Sequence, residues 1–201
     1  MRNTGPKTRK ARRIGEVLRD KDAKYLVKRN YAPGMHGQNR VRLSEFAIHH
    51  REKQKAKWIY DISERQFAGY VREASRKRAS TGDTLLGFLE SRLDNIVYRL
   101  GFAASRAQGR QIVGHGFVIV DGKKVTIPSF QVATGSTVEI NPNKRGSKYV
   151  ERLQAVIKDY KPQEWLDLDA KNLKGRVLSK PTPALSSSTI QMDLIVEHYN
   201  R

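Results

Sequence analysis

The chain has 201 residues, with 39 Lys and Arg against 20 Asp and Glu, which gives a formal net charge of +19 and a pI near 10.3. Self-repulsion at this charge destabilises an isolated fold, and a polyphosphate partner that accepts the basic side chains offsets it. The mean hydropathy is −0.66 and no apolar run approaches the length of about 18 residues that a membrane span needs, so we expect no membrane partner. The absence of cysteine excludes disulfides, thiolate zinc sites, iron–sulfur clusters and cysteine nucleophiles.

The N-terminal residues do not match a targeting signal. MRNTGPKTRK lacks the apolar core of a secretory signal, and the early acidic residues Glu16, Asp20 and Asp22 are unlike a transit peptide. We therefore expect a cytoplasmic protein.

The positive charge is concentrated in the first part of the chain. Residues 1–80 hold 22 basic and 8 acidic side chains, a net charge of +14, whereas residues 149–201 hold 8 and 7. Residues 1–43 also show little hydrophobic periodicity, so we predict an extended basic arm that takes its shape on its partner.

Helical patterns begin at Ser44, which can cap a helix running through REKQKAKW. A capping box, Ser63 with Gln66, predicts the start of a second helix. The apolar residues of this second helix have the spacing of one buried face: Phe67, Tyr70, Val71 and Ala74. After a break at Ser80–Asp83, one continuous third helix is predicted from apolar residues spaced by three or four: Leu85, Leu89, Leu93, Ile96 and Leu100.

Residues 101–141 have the pattern of a compact α+β module. Ser105 and Gln108 form another capping box, and Gly114 is placed to end that short helix. Strands are predicted at Phe117–Val120 and Thr137–Ile140, with Asp121-Gly122 as a hairpin turn after the first.

The remaining segments predict one further helix and a packed C-terminus. Residues 149–160 read as an amphipathic helix with Val150, Leu153, Val156 and Ile157. The final segment is too apolar for a free end, so we expect Leu194, Ile195, Val196 and Tyr199 to pack back onto the fold.

The segment from Ser105 to Gln111 is the most informative candidate site. Arg106 and Arg110 are four residues apart and share one helix face, close to the hydrogen-bonding side chains of Ser105, Gln108 and Gln111. Arginines and open N–H groups at a helix start suit phosphate. Arg92, Arg99 and His115 belong to the same module, and we count Arg92 and His115 among the predicted RNA-binding residues. An ordinary solvated helix face has the same spacing, and only the charge of the chain favours RNA.

A second basic block carries Arg51, Lys53, Lys55 and Lys57 against one acidic residue, Glu52. Charged helix faces are usually just solvated, but the excess of positive charge favours RNA contact here. Among the aromatic residues, Phe67 and Tyr70 fit a buried stripe, whereas the pattern leaves open whether Tyr25 and Tyr31 stack on bases.

No pattern of catalytic or metal-binding residues emerges from the sequence. The five histidines form no H-E-x-x-H motif, and there is no P-loop, G-x-S-x-G or G-x-G-x-x-G. Asp83, Glu90 and Asp94 are better explained as salt-bridge partners than as an acid–base pair. We therefore predict a protein without enzymatic activity, metal or cofactor.

The assembled motifs closely resemble the ribosomal protein S4 family of bacterial and organellar small subunits. The most specific match is LLGFLESRLDNIVYRLGFAASRAQGRQIVGHGFVIVDGKKVTIPSFQV, residues 85–132, which is similar to the S4 RNA-binding domain. Four more blocks follow the family's order: GPKTRKARRIG, APGMHGQNRVRLSEF, REKQKAKWIYDISERQF and LIVEHYNR.

The resemblance implies binding to the 5′ domain of small-subunit ribosomal RNA early in assembly. It also implies a place near the site where messenger RNA enters the subunit, a part in messenger unwinding and translational accuracy, and the small-subunit proteins S3 and S5 as neighbours. It assigns the messenger-facing role to Arg40 and Arg42. It assigns ribosomal RNA contacts in the arm to Lys7, Arg9, Lys10, Arg12 and Arg13, and in the domain to Arg106, Gln108, Arg110, Gln111 and His115.

The chain departs from the family pattern at several positions. Gly109 stands where Ala is common, which should weaken the short helix by up to about 1 kcal/mol. Asp121 replaces the usual Asn of the hairpin, which we expect to be harmless. The arm lacks the zinc-binding cysteines of some relatives, so the zinc-free type is implied, while residues 181–191 are more polar than the family suggests.

The prediction is an α+β protein with three segments. Residues 1–43 form the basic arm, residues 44–90 form a helical domain completed by 181–201, and residues 91–180 form an inserted S4-type RNA-binding domain with a trailing helix. Three alternative functions can be compared with this prediction. The first is an RNA-modifying enzyme such as a pseudouridine synthase, but it would need a catalytic domain, and residues 133–201 are too short to form one. Stand-alone rescue or heat-shock factors lack the arm and the REKQK block, and a DNA-binding architectural protein is the third alternative.

Overall fold

The two ends of the chain fold together. The computed structural model describes residues 5–18, 20–39, 42–77, 79–158, 160–182 and 189–200. Residues 1–82 with 189–201 form one unit and residues 83–188 form a second. The helices are α1 Lys7–Ile14, α2 Asp20–Lys28, α3 Glu45–Tyr60, α4 Glu64–Ser75, α5 Thr81–Glu90, α6 Leu93–Arg99, α7 Arg106–Gly114, α8 Lys148–Ile157 and α9 Met192–Asn200. The strands are β1 Val118–Val120, β2 Lys123–Lys124, β3 Thr137–Ile140, β4 Leu166–Asp169 and β5 Lys174–Val177.

The first unit is helical in the part of it that the structure describes, and its N-terminal arm differs from the extended segment expected from sequence. The arm contains α1 and α2, which pack against each other. Helix α1 buries Ala11 and Ile14 and ends at Gly15, whose left-handed φ of 84° lets its N–H donate to the Ala11 carbonyl at 2.8 Å. Two apolar residues among five basic ones in KTRKARRI are too few to reveal this helix by periodicity.

Helix α3 is the centre of the first unit, because both α1 and α9 pack against it. Its predicted cap is confirmed: the Ser44 hydroxyl accepts from the Ala47 N–H at 3.3 Å. The predicted packing of the C-terminus is also confirmed, since Ile195 of α9 is fully buried together with Phe67 of α4.

The predicted continuous leucine-rich helix is wrong at one point, because it breaks at Ser91-Arg92 into α5 and α6. Arg92 has an extended backbone and forms an antiparallel bridge with Gln131. The Leu93 N–H donates to the Phe130 carbonyl at 2.9 Å, and the Val132 N–H donates to the Ser91 carbonyl at 2.9 Å. These long-range backbone bonds replace the helical bonds that local periodicity predicts.

The second unit is built on one antiparallel sheet, in which the strands of the described chain have the order β2-β1-β3-β5-β4. The predicted hairpin is confirmed: Asp121 and Gly122 both have positive φ, 47° and 77°. The structure adds β4 and β5, which were not predicted. Gly175 of β5 lies against Leu100, whose Cδ atoms would be 2.5 Å from an added Cβ.

The core of the second unit lies between the sheet and α6, α7 and α8. It includes Ile96, Val113, Val138 and the fully buried Trp165. In α8, Val150, Leu153 and Ile157 are buried as predicted, whereas Val156 is 71 % exposed. The α+β class predicted from sequence is confirmed.

Candidate nucleic-acid interface

Helix α7 begins at the predicted cap. The Ser105 hydroxyl accepts from the Gln108 N–H at 3.3 Å, and the Gln108 side-chain oxygen accepts from the Ala104 N–H at 2.9 Å. Both predicted RNA-binding side chains therefore hold the start of the helix. This capping fixes the position from which Arg106 and Arg110 project.

Close contact between α6 and α7 depends on Gly109. A Cβ added to Gly109 would lie 2.6 Å from the backbone oxygen of Asp94. The sequence view that glycine only weakens α7 is therefore incomplete. Because glycine has no Cβ, the backbone of α7 can lie directly against the backbone of α6 at this position.

Asn95 of α6 positions Arg106. The Arg106 Nε donates to the Asn95 Oδ1 at 2.8 Å, and the guanidinium lies 4.7 Å from the centre of the Tyr98 ring. Sequence analysis did not single out Asn95 or Tyr98, because only the fold brings α6 beside α7. Two contacts on different sides hold the guanidinium in one orientation.

The buried Glu90 carboxylate in turn orients Asn95. Glu90 is fully buried and accepts from the Asn95 Nδ2 at 2.6 Å and from Arg99 at 2.8 and 3.2 Å. Because the Asn95 nitrogen faces the carboxylate, its oxygen faces Arg106. The expectation that Glu90 is a salt-bridge partner is confirmed.

Arg92 is not accessible to RNA in this structure, contrary to its predicted role. Its side chain is fully buried and donates to both Asp94 oxygens, at 3.1 and 2.8 Å. Arg110 lies at the open side of the same carboxylate, with its Nη1 3.8 Å from the Asp94 Oδ2. The Asp94 carboxylate therefore pairs with the buried Arg92 and lies close to the partly exposed Arg110.

The outward-facing part of this site combines four predicted residues. Arg106 and Arg110 are partly exposed, and Gln111 and His115 are exposed. Lys123 and Lys124 of strand β2 are also exposed, although they are not among the predicted RNA-binding residues. We call Arg106, Arg110, Gln111 and His115 the α7 face.

The arm residues divide between internal contacts and exposure. Lys7 pairs with Asp61 at 3.2 Å, and Arg12 donates to the Tyr31 carbonyl at 3.2 Å while lying 4.9 Å from the centre of the Tyr31 ring. Lys10 lies over the Trp58 ring at 5.6 Å. Arg9 and Arg13 are exposed, so they are the most open of the five arm residues for which ribosomal RNA contact is implied.

The basic block of α3 is used largely inside the first unit. Lys53 pairs with Glu64 at 3.1 Å, and the buried Lys55 pairs with Glu16 at 2.7 Å and donates to the Thr189 carbonyl at 2.7 Å. Lys53 and Lys55 are withdrawn from solvent, contrary to the RNA contact that their charge favoured. Burying an ammonium requires such partners, and these tie α3 to distant parts of the chain.

Arg51 and Lys57 remain nearer the surface of this block. Arg51 is exposed and donates to the carbonyl of Ile14 at 2.5 Å, at the C-terminal end of α1. Lys57 donates to Glu64 at 2.6 Å.

Glu64 has a strongly perturbed pKa. Partial burial raises it, but hydrogen bonds from Lys57, Tyr199 and Lys53 outweigh that effect and hold the pKa of Glu64 at about 2. The Tyr199 hydroxyl donates to Glu64 at 2.7 Å, and the pKa of Tyr199 is raised by burial and by this carboxylate. The carboxylate thus joins α3, α4 and α9.

The remaining predictions fall on less defined positions. Arg42 is exposed, whereas Arg40 lies outside the described residues, as do residues 183–188 of the polar stretch. Tyr25 is 53 % exposed. Within the described ranges, no three His, Asp or Glu side chains are grouped to hold a metal ion, and no helix is long and apolar enough to cross a membrane.

Comparison with known proteins accounts for the whole chain. A family profile for "Ribosomal protein S4/S9 N-terminal domain" matches residues 2–90, and one for "S4 domain" matches residues 91–138. The chain is 47 % identical to small ribosomal subunit protein uS4 of Geotalea daltonii and 44 % identical to that of Natranaerobius thermophilus. It is 43 % identical to the corresponding protein of Chloroflexus aurantiacus, and each of these three alignments covers 100 % of the chain and 99 % of the relative. The chain therefore belongs to the uS4 family of small ribosomal subunit proteins.

Proposed function

We propose that this chain is a structural component of the small ribosomal subunit, that it binds small-subunit ribosomal RNA and that it starts assembly of the 5′ domain. The uS4 family is non-enzymatic. The observation that carries the proposal is the α7 face, where buried Glu90 and Asn95 fix Arg106 outside the core. An arginine fixed in this way binds phosphate with less loss of side-chain entropy than a free one.

The mechanism is electrostatic and geometric. Exposed cations of the arm and of the α7 face neutralise phosphates of RNA helices that otherwise repel one another, so the helices of a junction are held in one arrangement. The internal ion pairs of Lys53, Lys55 and Arg92 keep the protein scaffold rigid while these contacts form.

The family resemblance supports a proposed position in the ribosome. We propose that the chain lies beside the site where messenger RNA enters, next to proteins S3 and S5, in the cytoplasmic ribosome. In this proposal Arg40 and Arg42 contact messenger RNA and contribute to its unwinding and to accuracy. The exposure of Arg42 supports this role.

The α7 face can be tested with a double variant, Arg106→Ala with Arg110→Ala. A filter-binding titration against the 5′-domain RNA should show weaker binding and a salt dependence reduced by about 2 in log–log slope, one for each lost phosphate contact. Arg152→Ala, which removes an exposed arginine of α8, is the matched control. Equal affinities for the double variant and the control would reject this face as the RNA site.

A further inference from the structure

A groove in the first unit shares no lining residue with the α7 face. It has a volume of about 1000 Å³ and lies between the end of α1, the segment 30–39 and the side of α3 that runs from Phe46 to Trp58. Its principal lining residues are Arg12, Arg13, Tyr31, Phe46, Arg51 and Trp58. This volume is at the upper end of the range of about 300–1,000 Å³ that small-molecule sites occupy.

The charged residues that line the groove are positive. Three arginines line it, and none of its described lining residues is Asp or Glu. Arg13 is exposed. Arg51 is held by its contact with the Ile14 carbonyl, which uses one of the five N–H donors of a guanidinium. The groove therefore offers positioned donors to an anion.

The groove also exposes flat apolar surface. Phe46 is 55 % exposed as a residue while its ring also contacts His50 and His198, Leu43 is 41 % exposed, and Trp58 is partly exposed. A smaller adjoining depression shares Arg13 and Trp58 and adds Arg9 and Lys10. Aromatic rings interleaved with cations provide stacking platforms for bases next to sites for phosphates.

We propose that this groove binds an unstacked nucleotide of single-stranded RNA, with its phosphate on Arg13 and Arg51 and its base against Phe46 or Trp58. The inference rests on the proposed RNA-binding function and adds a distinct ligand class. A duplex offers phosphates but keeps its bases stacked, so it uses only the cations. An unpaired nucleotide uses both the cations and the rings.

The test uses the full chain and a 5′-labelled single-stranded RNA tetranucleotide, whose binding is followed by fluorescence anisotropy. A labelled four-base-pair RNA hairpin, closed by a non-nucleotide linker so that it has no unpaired base, and inorganic phosphate are the comparison ligands. We expect the tetranucleotide to bind more tightly than the hairpin stem and to quench the fluorescence of Trp58, whereas phosphate leaves the fluorescence unchanged. Trp165 is fully buried in the second unit, so Trp58→Phe should abolish the quenching.

Two variants and a matched control locate the site. Arg13→Gln should weaken tetranucleotide binding roughly fivefold to tenfold through a lost phosphate contact. Phe46→Leu changes an exposed ring and should weaken the tetranucleotide more than the hairpin. Arg65→Gln removes an exposed charge of α4 away from the groove, and it should change affinity less than about twofold. Melting curves verify that each variant is folded.

The inference is overturned if the hairpin stem binds as tightly as the tetranucleotide and quenches Trp58 equally, because the groove then binds phosphates without contacting an unstacked base. It is also overturned if an acidic peptide containing phenylalanine displaces the tetranucleotide at lower concentration, which would make the groove a protein-docking site. If the tetranucleotide fails while the 5′-domain RNA still binds, this inference fails and the proposed function stands. Loss of both kinds of binding would reject the two together.

Discussion

At the scale of single residues, the basic side chains of this protein have two different uses. Lys53, Lys55 and Arg92 are buried and paired with carboxylates, whereas Arg13 and Arg42 are exposed. Sequence charge alone does not separate them, because burial depends on which helix packs against each side chain. This is why the RNA contacts predicted for Lys53, Lys55 and Arg92 do not fit the structure, while those predicted for Arg106 and Arg110 remain open to test.

Glu64→Gln should destabilise the first unit. The substitution removes the charge that partners Lys53 and Lys57, and Lys53 is left nearly buried without a carboxylate. Because Glu64 is itself 46 % exposed, we expect a loss of only about 1 kcal/mol in the free energy of unfolding at pH 7. Urea unfolding measures this, with Glu73→Gln on the exposed face of the same helix as the control.

The same variant has a defined pH dependence. The pKa of Glu64 is about 2 in the folded chain, below its ordinary value of 4.5. Its stabilising effect is therefore complete above about pH 4.5 and is lost as the pH falls toward 2. The difference between wild type and Glu64→Gln should shrink over that interval, and a difference that stays constant down to pH 2.5 would contradict the ion-pair assignment.

At the scale of elements, sequence patterns within a few residues predicted helix caps and turns correctly, whereas most contacts between distant residues were not predicted. The caps at Ser44, Ser63 and Ser105 and the turn at Asp121-Gly122 were all correct, because each depends on residues within four positions.

The errors in the second unit arose from contacts between distant residues. The break at Ser91-Arg92 depends on backbone bonds to residues 130–132, and β4 and β5 are ordered by pairing with each other and with β3. No spacing rule within a helix or a short strand contains that information. For the same reason sequence analysis singled out the α7 arginines as candidate RNA contacts but did not identify Asn95 and Glu90 as the support of Arg106.

Ser105→Ala should destabilise the second unit by about 1 kcal/mol, because it removes the acceptor for the Gln108 N–H at the start of α7. Thermal unfolding measures the effect, and Ser179→Ala at an exposed position outside the helices and strands is the control. Equal unfolding temperatures for the two variants would show that the cap does not stabilise α7.

The contact between α3 and α9 should depend on pH through His198. Burial, the charge of Lys53 and the neighbouring His50 lower the pKa of His198 below 6.5, with a smaller effect of His49, while Glu64 acts in the opposite direction. Phe46 and Tyr199 also face this ring, and Glu197 of α9 contacts His49 at 3.3 Å.

The lowered pKa of His198 fixes the sign of the effect. The unfolded chain binds its proton more readily, so stability is unaffected above pH 6.5 and falls as the pH drops below it. Urea unfolding at pH 7.5 and 5.5 should show this loss in the wild type and a smaller loss in His198→Phe. His36→Asn, which changes an exposed histidine, should behave as the wild type does. A pH response that is unchanged in His198→Phe would exclude His198 as its source.

At the scale of the whole molecule, the net charge of +19 is the dominant property. Internal ion pairs do not reduce this net charge, because each one joins a positive and a negative group, and residues 1–80 alone carry +14. The uS4 family membership gives this surplus a partner, since ribosomal RNA supplies phosphates at high density. One partly exposed cation, Arg106, is positioned by the buried Asn95 and Glu90.

The most direct test of RNA binding is the affinity of the full chain for the 5′ domain of small-subunit ribosomal RNA over a series of salt concentrations, with excess transfer RNA and duplex DNA present. We predict binding that the competitors do not displace, with an affinity that falls by roughly 0.7–0.9 log units per phosphate contact for each log unit of salt. Binding that the competitors erase, or an affinity that does not change with salt, would contradict a specific ribosomal RNA binder held by phosphate contacts.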